Sequence, residues 1–282
     1  MAEGLCKLTG QAGRFVKSHI IPQALTRASS NVPLVQAGEG RPPVKRWSSW
    51  YDAALVTRPG ENILADHDSW GVRELRRLRL IWSSWNGRPA LDAPIVPEHE
   101  DRPYRGYRVI DTDAPRLRRF LLSLLWRAAE TRLPDFAHIV LEEAEREALR
   151  QAVLQVTPAP PGLFPITLIQ LSTMGLRHNM APIRDVKLVP RPAPLPPEEL
   201  PILRFFLDGL IVYFHLNAPE GFASRLGSLI LGTTERTSVI TIPFEESLQL
   251  TNMVAVAHES ELRFPREIDR LFGKWGHHEN NP

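Results

Sequence analysis

The chain has a single cysteine, Cys6, among its 282 residues. One thiol cannot form an internal disulfide or build a zinc site from cysteine alone, so no structural zinc is expected. No apolar run reaches the ~18 residues that span a membrane, and the N-terminus lacks the apolar core of a signal peptide. Basic residues number 34 against 32 acidic ones, so no overall charge excess indicates nucleic acid or a membrane surface. The sequence therefore predicts a cytoplasmic protein with no membrane partner, which would meet a charged partner through a local patch.

Proline is abundant, with 26 residues, and it separates the candidate units. Residues 1–82 form a loop-rich first unit, and four prolines interrupt residues 83–108, which indicates a linker or a long loop. Over residues 109–282, helical patterns precede strand-like ones. That order predicts an α+β domain with a mixed or antiparallel sheet. Because this domain shows no catalytic pattern, we assign it by elimination to target recognition or to assembly into a homo-oligomer or larger complex.

Local patterns predict the main elements. In the second unit, Asp113 is a suitable N-cap with Pro115 in the first helical turn. The elements predicted for the first unit are a strand ending at His19, a helix over 22–28, a strand at 53–56, a turn at 57–60 and a helix from Glu61 to about Leu80. Those predicted for the second unit are helices over 116–130, 141–156 and 264–272, and strands over 164–171, 186–189, 203–216 and 238–243.

The segment Gly13–Pro22 is the most informative part of the sequence. It places His19 where an extended segment meets a helix that Pro22 can begin. A histidine held by backbone on both sides suits a general base, because its position must be fixed before its pKa matters. The alternative is an ordinary, partly buried imidazole with a satisfied hydrogen bond.

Three segments together resemble the divergent HNH-like endonucleases, also called His-Me finger or treble-clef nucleases. In that family a Cys-x-x-Cys knuckle precedes a strand ending in Ser-His-Ile-Ile-Pro, and Tyr-Asp-x-x-Leu leads into a second Cys-x-x-Cys-Glu. The matching segments here are Cys6–Thr9, Ser18–Pro22 and Tyr51–Glu61, and Phe120–Arg127 resembles the family's companion region. The four positions that correspond to the cysteines, called the knuckle positions below, are Cys6, Thr9, Thr57 and Gly60. The resemblance implies a small, zinc-free treble-clef or ββα-like unit over residues 1–82.

The resemblance also implies metal-dependent hydrolysis of phosphodiester bonds, in phage defence or mobile-element biology. His19 corresponds to the general base that activates water, with Mg²⁺ or Mn²⁺ as the cofactor. The implied partner is nucleic acid, DNA rather than RNA. Family members place a carboxylate or histidine directly before this base, whereas a serine hydroxyl such as that of Ser18 is a poor Mg²⁺ ligand.

The metal must then be held by the helix that begins near Glu61. The implied metal ligands are Glu61, Asp66 and Asp68. Asn62 is the candidate that orients His19, and His67 is the candidate for the last position of the catalytic triad. The alternative for each is an ordinary role: Glu61 as a first-turn acid, and the aspartates as solvated carboxylates.

Basic and aromatic residues suggest where a nucleic acid would bind. The candidate phosphate contacts are Lys17, Arg73, Arg76, Arg77 and Arg79. A solvated basic helix face is the alternative for the arginines. The aromatic residues Trp47, Trp50, Tyr51 and Trp70 are predicted to replace the zinc-stabilised core, with a base-stacking platform as the alternative.

Two hypotheses compete with an active nuclease. The first is a catalytically degenerate HNH-fold subunit that binds nucleic acid or assembles with a partner, because Ser18 and three knuckle positions lack the family's residues. The second is an unrelated α+β interaction protein that carries a chance motif.

Overall fold

A computed structural model describes residues 2–26, 34–38, 40–46, 49–155, 157–189, 194 and 196–272. Within them the chain forms six α-helices and thirteen strands arranged in three sheets, which confirms the predicted α+β class. No helix in the described part of the chain is both long and apolar enough to cross a membrane.

The elements follow one another along the chain in a mixed order. The strands are β1 (Glu3–Leu5), β2 (Ala12–His19), β3 (Leu34–Gly38), β4 (Arg41–Arg46), β5 (Tyr51–Thr57), β6 (Val96–Pro97), β7 (Gly106–Ile110), β8 (Ile166–Leu171), β9 (Asn179–Met180), β10 (Ile183–Val189), β11 (Glu198–Leu207), β12 (Leu210–His215) and β13 (Thr237–Ile242). The helices are α1 (Arg58–Arg77), α2 (Ala114–Glu130), α3 (Glu143–Leu154), α4 (Phe222–Leu226), α5 (Leu248–Arg263) and α6 (Pro265–Phe272).

The first sheet is small and antiparallel, with the strand order β1-β2-β5. Strand β5 runs directly into α1, so two antiparallel strands and a helix form a ββα arrangement at the N-terminus. A second small sheet has the order β4-β3-β9.

The large sheet has seven strands in the order β10-β11-β12-β8-β13-β7-β6. It is mixed, which is one of the two arrangements that the sequence predicted, because β13 runs parallel to β8 while the other pairs are antiparallel. The predicted linker at 83–108 contains β6 and the first part of β7, and both strands belong to this sheet.

The main hydrophobic core joins both predicted units. It combines Leu55 and Leu75 of the first unit with Phe120 and Val212 of the second. Alternate residues of a strand face opposite sides of a sheet, and Tyr213, next to Val212, belongs to a separate apolar cluster on the other face. Apolar clusters therefore cover both faces of the large sheet at its central strand β12.

The structure corrects two helix predictions in the first unit. Helix α1 begins at Arg58 rather than Glu61, because Thr57 is an extended N-cap and Pro59 lies in the first turn, where its missing N–H needs no partner. The predicted helix over 22–28 is only a 3₁₀ turn at Gln23–Leu25 in its described part; residues 27 and 28 lie outside the described residues.

Two elements of the second unit also differ from the prediction. The single strand predicted over 203–216 is a hairpin, since Asp208 and Gly209 have φ values of 51° and 91° and form a tight turn between β11 and β12. Helix α5 was missed, although the Ser247 hydroxyl accepts a hydrogen bond from the Leu250 N–H at its start. The predicted N-cap Asp113 is confirmed, because its carboxylate accepts from the Arg116 N–H at 3.0 Å.

Candidate functional site

The end of β2 places three candidate side chains in defined environments. His19 lies opposite Tyr51 of β5 in the antiparallel register, and the two rings meet edge to face with centroids 6.4 Å apart. Lys17, two residues earlier, is exposed, and its Nζ lies 3.6 Å from the centroid of the Tyr51 ring. Val16 and Ser18 are buried, because they project to the other face of the strand. The exposed face formed by Lys17, His19 and Tyr51 is called the β2–β5 face below.

The first turn of α1 brings Glu61 close to the buried side of β2. Burial raises the pKa of the Glu61 carboxyl, while the nearby Ser18 hydroxyl and Arg127 guanidinium lower it, and the net direction is upward. Ser18 is fully buried, and neither its Oγ nor Glu61 Oε2 makes a hydrogen bond of normal geometry. The Ser18 hydroxyl and the Glu61 carboxyl therefore interact with each other, but without a hydrogen bond of normal geometry.

Arg127 of α2 is the central charged residue of the site. Its side chain is only 1% exposed, and it forms a bidentate pair with Asp68, with Nη1–Oδ2 at 2.9 Å and Nη2–Oδ1 at 2.6 Å. Nη1 also donates to the His19 carbonyl at 2.9 Å, and Nε donates to the Ser123 carbonyl at 3.2 Å. Arg127 thus ties together β2, α1 and α2.

The sequence predicts no role for Arg127 itself, although the segment Phe120–Arg127 resembles the companion region of the HNH-like family. A usable signal was present. One face of α2 carries an apolar stripe formed by Leu117, Phe120, Leu121 and Leu124. An arginine that continues such a stripe into the core is buried, and a buried charge needs an acidic partner.

His19 is half-buried beside this pair. Burial lowers its pKa, Lys17 and Arg127 lower it further, and Asp68 acts in the opposite direction. Its pKa therefore lies below the usual value near 6.5, so the imidazole is neutral at pH 7.

The predicted catalytic and metal residues of α1 do not come together. A helix turns about 100° per residue, so Glu61 and Asp68 project from nearly one side while Asn62 and Asp66 project about 100–140° away. Asn62 and Asp66 are exposed. His67 points to α3 instead, where its Nε2 lies 3.0 Å from the Val153 carbonyl, and burial lowers its pKa.

A divalent metal does not fit the predicted ligand set. Both oxygens of Asp68 accept hydrogen bonds from Arg127, and Asp66 lies on the exposed side of the helix. Among the described residues, no three His, Cys, Asp or Glu side chains gather in a way that could hold a metal ion. Of the three predicted ligands, Glu61 has a buried carboxylate oxygen without a hydrogen-bond partner among the described residues.

The four knuckle positions lie together around one buried thiol. The Thr9 N–H donates to Cys6 Sγ at 3.4 Å, and a Cβ placed on Gly60 would lie 2.6 Å from the same sulfur. Burial raises the pKa of the Cys6 thiol, but hydrogen bonds from Thr9 and Thr57 outweigh burial and lower it overall. Apolar and hydrogen-bonding contacts thus occupy the place where the resemblance would put a zinc ion.

The five candidate phosphate contacts fall into two groups. Arg77 forms a two-point pair with Glu74 and donates to the Asp111 carbonyl, and Arg79 donates to the Asp92 carbonyl at 2.6 Å. The other three, Lys17, Arg73 and Arg76, are exposed and make no ion pair with an acidic side chain in the described parts of the chain. These three are the cations that remain open to an external phosphate.

The structure describes three of the four aromatic residues predicted to form the replacement core. Trp50 is 2% exposed and packs edge to face on Phe136, as predicted for a replacement core. Tyr51 is 44% exposed, so its assignment to that core is wrong. Trp70 is partly buried and packs against the main core, as predicted, with Arg116 over its ring; Trp47 lies outside the described residues.

No protein-family model matches the chain, and comparisons with curated proteins and with solved structures gave no significant match. The resemblance to HNH-like endonucleases therefore stays a hypothesis, and the function must be argued from the site itself.

Proposed function

We propose that the protein binds nucleic acid through the β2–β5 face and does not depend on a metal for that role. The observation that carries this proposal is the exposed Tyr51 ring with the Lys17 ammonium 3.6 Å from its centroid. The ammonium lies over one face of the ring, where it can contact a phosphate, and a base would stack on the opposite face.

The charged interior of the site supports binding rather than catalysis. Arg127 and Asp68 neutralise each other in a bidentate pair, so a metal at Asp68 would lie against the Arg127 cation and compete with it for both oxygens. The convergence of the knuckle positions on Cys6 supports the HNH-like resemblance, and through it a nucleic-acid partner. Together these features favour a degenerate HNH-fold binding subunit. We expect DNA to be preferred over RNA on the resemblance alone.

Fluorescence anisotropy with labelled single-stranded DNA, duplex DNA and single-stranded RNA, over a range of salt concentrations, tests this proposal. Tyr51→Ala removes the stacking ring and should weaken single-strand binding by roughly 5- to 150-fold, since one stacked base contributes about 1–3 kcal/mol. Lys17→Ala should reduce the slope of log affinity against log salt by about one phosphate contact.

Two matched controls separate this face from the rest of the surface. Tyr107→Ala removes an equally exposed tyrosine, at 43%, from β7, and Lys45→Ala removes an exposed lysine from β4. Both variants should bind like the wild type. Equal losses in the controls and in the Tyr51 and Lys17 variants, or no binding at low salt, would contradict the proposal.

Phosphodiester hydrolysis with His19 as general base is the second candidate function. The neutral imidazole favours it, since burial and two nearby cations keep the His19 pKa low enough for the ring to accept a proton at pH 7. Incubation of the same nucleic acids with Mg²⁺ or Mn²⁺ decides between the two. Cleavage that His19→Ala abolishes would establish the nuclease, and uncut substrate bound by the β2–β5 face would establish the binding role.

A further inference from the structure

A cavity of about 200 Å³ lies between α4 and the face of the large sheet that carries His215. Its apolar wall includes Phe222 and Leu226 of α4 and Ile240 of β13. Its polar residues come from three other strands: Lys187 of β10, His215 of β12 and Thr167 of β8. The cavity is remote in sequence from the β2–β5 face and belongs to the part of the chain for which the sequence offered no specific role.

His215 lines this cavity and has a buried ring nitrogen without a hydrogen-bond partner among the described residues. The residue is 1% exposed, and its Nε2 lies 2.9 Å from Thr167 Oγ1. The Nδ1 atom has no hydrogen-bond partner in the described parts of the chain. A buried polar atom without a partner is costly to the folded state, so a ligand that bonds to Nδ1 would recover that loss. When the Thr167 hydroxyl donates to Nε2, the imidazole carries its proton on Nδ1 and can donate to a ligand.

Lys187 supplies an uncompensated positive charge at the same cavity. Its Nζ lies 5.8 Å from the Tyr213 ring centroid, and it makes no ion pair with a described acidic residue. The one carboxylate close by on its strand, Asp185, faces Arg204, whose side chain is 1% exposed, at 3.8 Å. Burial lowers the pKa of Lys187, and burial together with Lys187 lowers the pKa of His215 to about 4. Because Asp185 faces Arg204, the Lys187 ammonium has no described acidic side chain within ion-pair distance.

We propose that this cavity binds a small monocarboxylate with a short apolar tail. The carboxylate accepts hydrogen bonds from Lys187 Nζ and His215 Nδ1, and the tail packs against Phe222, Leu226 and Ile240. A cavity of about 200 Å³ is smaller than the usual drug-sized site of about 300–1,000 Å³, which limits the ligand to a short chain. The proposal is independent of the nucleic-acid role.

Isothermal titration of the full chain with hexanoate tests the proposal, with 1-hexanol and inorganic phosphate as comparison probes. Hexanoate should bind measurably, while hexanol lacks the charge and phosphate lacks the tail, so both should bind at least tenfold more weakly. Lys187→Met keeps the length of the side chain but removes its charge. It should weaken hexanoate binding by about 10- to 100-fold, as expected for one charge-assisted hydrogen bond.

Two further variants keep the test decisive. Leu226→Trp fills the cavity from a partly exposed position and should abolish hexanoate binding without removing either polar group. Lys45→Met is the matched control for the loss of one lysine and should bind hexanoate like the wild type. Absence of hexanoate binding, unchanged affinity in both the Lys187 and Leu226 variants, or phosphate binding as tight as hexanoate binding would each overturn the proposal.

Discussion

Asp68→Asn should destabilise the fold strongly, because it removes the charge that pairs directly with Arg127. The Arg127 side chain is 1% exposed and that of Asp68 is 22% exposed. Breaking a buried ion pair on one side costs about 3–5 kcal/mol. The lower end applies here, since water can reach the Asp68 side and the hydrogen bonds from Arg127 to the Ser123 and His19 carbonyls remain. We expect a loss of about 3 kcal/mol in the free energy of unfolding.

Urea unfolding followed by tryptophan fluorescence measures this loss, since Trp126 adjoins Arg127 in sequence and is buried. The slope of the free energy against urea should not change. Asp66→Asn makes the same chemical change at an exposed position of the same helix and should stay within about 0.5 kcal/mol of the wild type. If Asp68→Asn lowers the free energy of unfolding no more than Asp66→Asn does, the Arg127–Asp68 ion pair is not central to the stability of the fold. The double variant Asp68→Leu with Arg127→Met should lose less than the sum of the single variants, because no charge is then left unpaired.

Three further predictions test other parts of the structure. Replacing Thr9, Thr57 and Gly60 together by cysteine should create a site for one Zn²⁺. Added Zn²⁺ should then raise the thermal midpoint of this variant but not that of the wild type, and a chelator should reverse the rise. A second prediction concerns pH. The pKa values of His178 and His215 are about 4 in the folded state and about 6.5 in the unfolded state, so the unfolded chain binds more protons between these two pH values. The free energy of unfolding should therefore fall as the pH drops from about 6.5 to 4. A series of urea midpoints against pH checks this, and a flat series contradicts it. Gly71→Ala should lower the free energy of unfolding by about 1–3 kcal/mol, because the added Cβ would lie 2.3 Å from the Phe120 ring. A Cβ added at Gly162 meets no neighbour within 4 Å, so Gly162→Ala should be close to neutral. Thermal denaturation of both variants measures the difference.

Elements whose signals are local could be predicted from the sequence. Asp113 with Pro115 identified the start of α2, and the β-branched and aromatic residues before His19 identified β2. The sequence predicted one strand over 203–216 and missed the hairpin turn at Asp208-Gly209, although Asp-Gly is a recognised turn signal. The reason is that the residues on both sides of this dipeptide form a mostly apolar run. That run is buried on both faces of the sheet, so it lacks the alternation that separates two strands from one.

The candidate site was predictable only in part, because its decisive contact joins distant segments. The position of His19 followed from local pattern, but the partner of Asp68 lies on another helix, at Arg127. Glu61 and Asp68 are seven residues apart, in phase with buried Leu64 and Leu75, and that spacing indicates one inward-facing stripe. The assignment of Asp68 to a metal site relied on residue type alone, whereas a carboxylate on an inward stripe requires a specific partner.

The position of β13 in the large sheet has a consequence for the order of folding. This strand is the last of the sheet to be synthesised, yet it lies between β8 and β7, with Thr237 paired to Ile110. Until it is added, the sheet consists of two separate pieces, β10-β11-β12-β8 and β7-β6, each with an open edge. Such distant pairing slows folding and leaves unpaired edges exposed on the nascent chain. A chain truncated before Thr237 should therefore accumulate as an aggregation-prone intermediate, so the residues that complete the sheet decide when the whole molecule becomes stable.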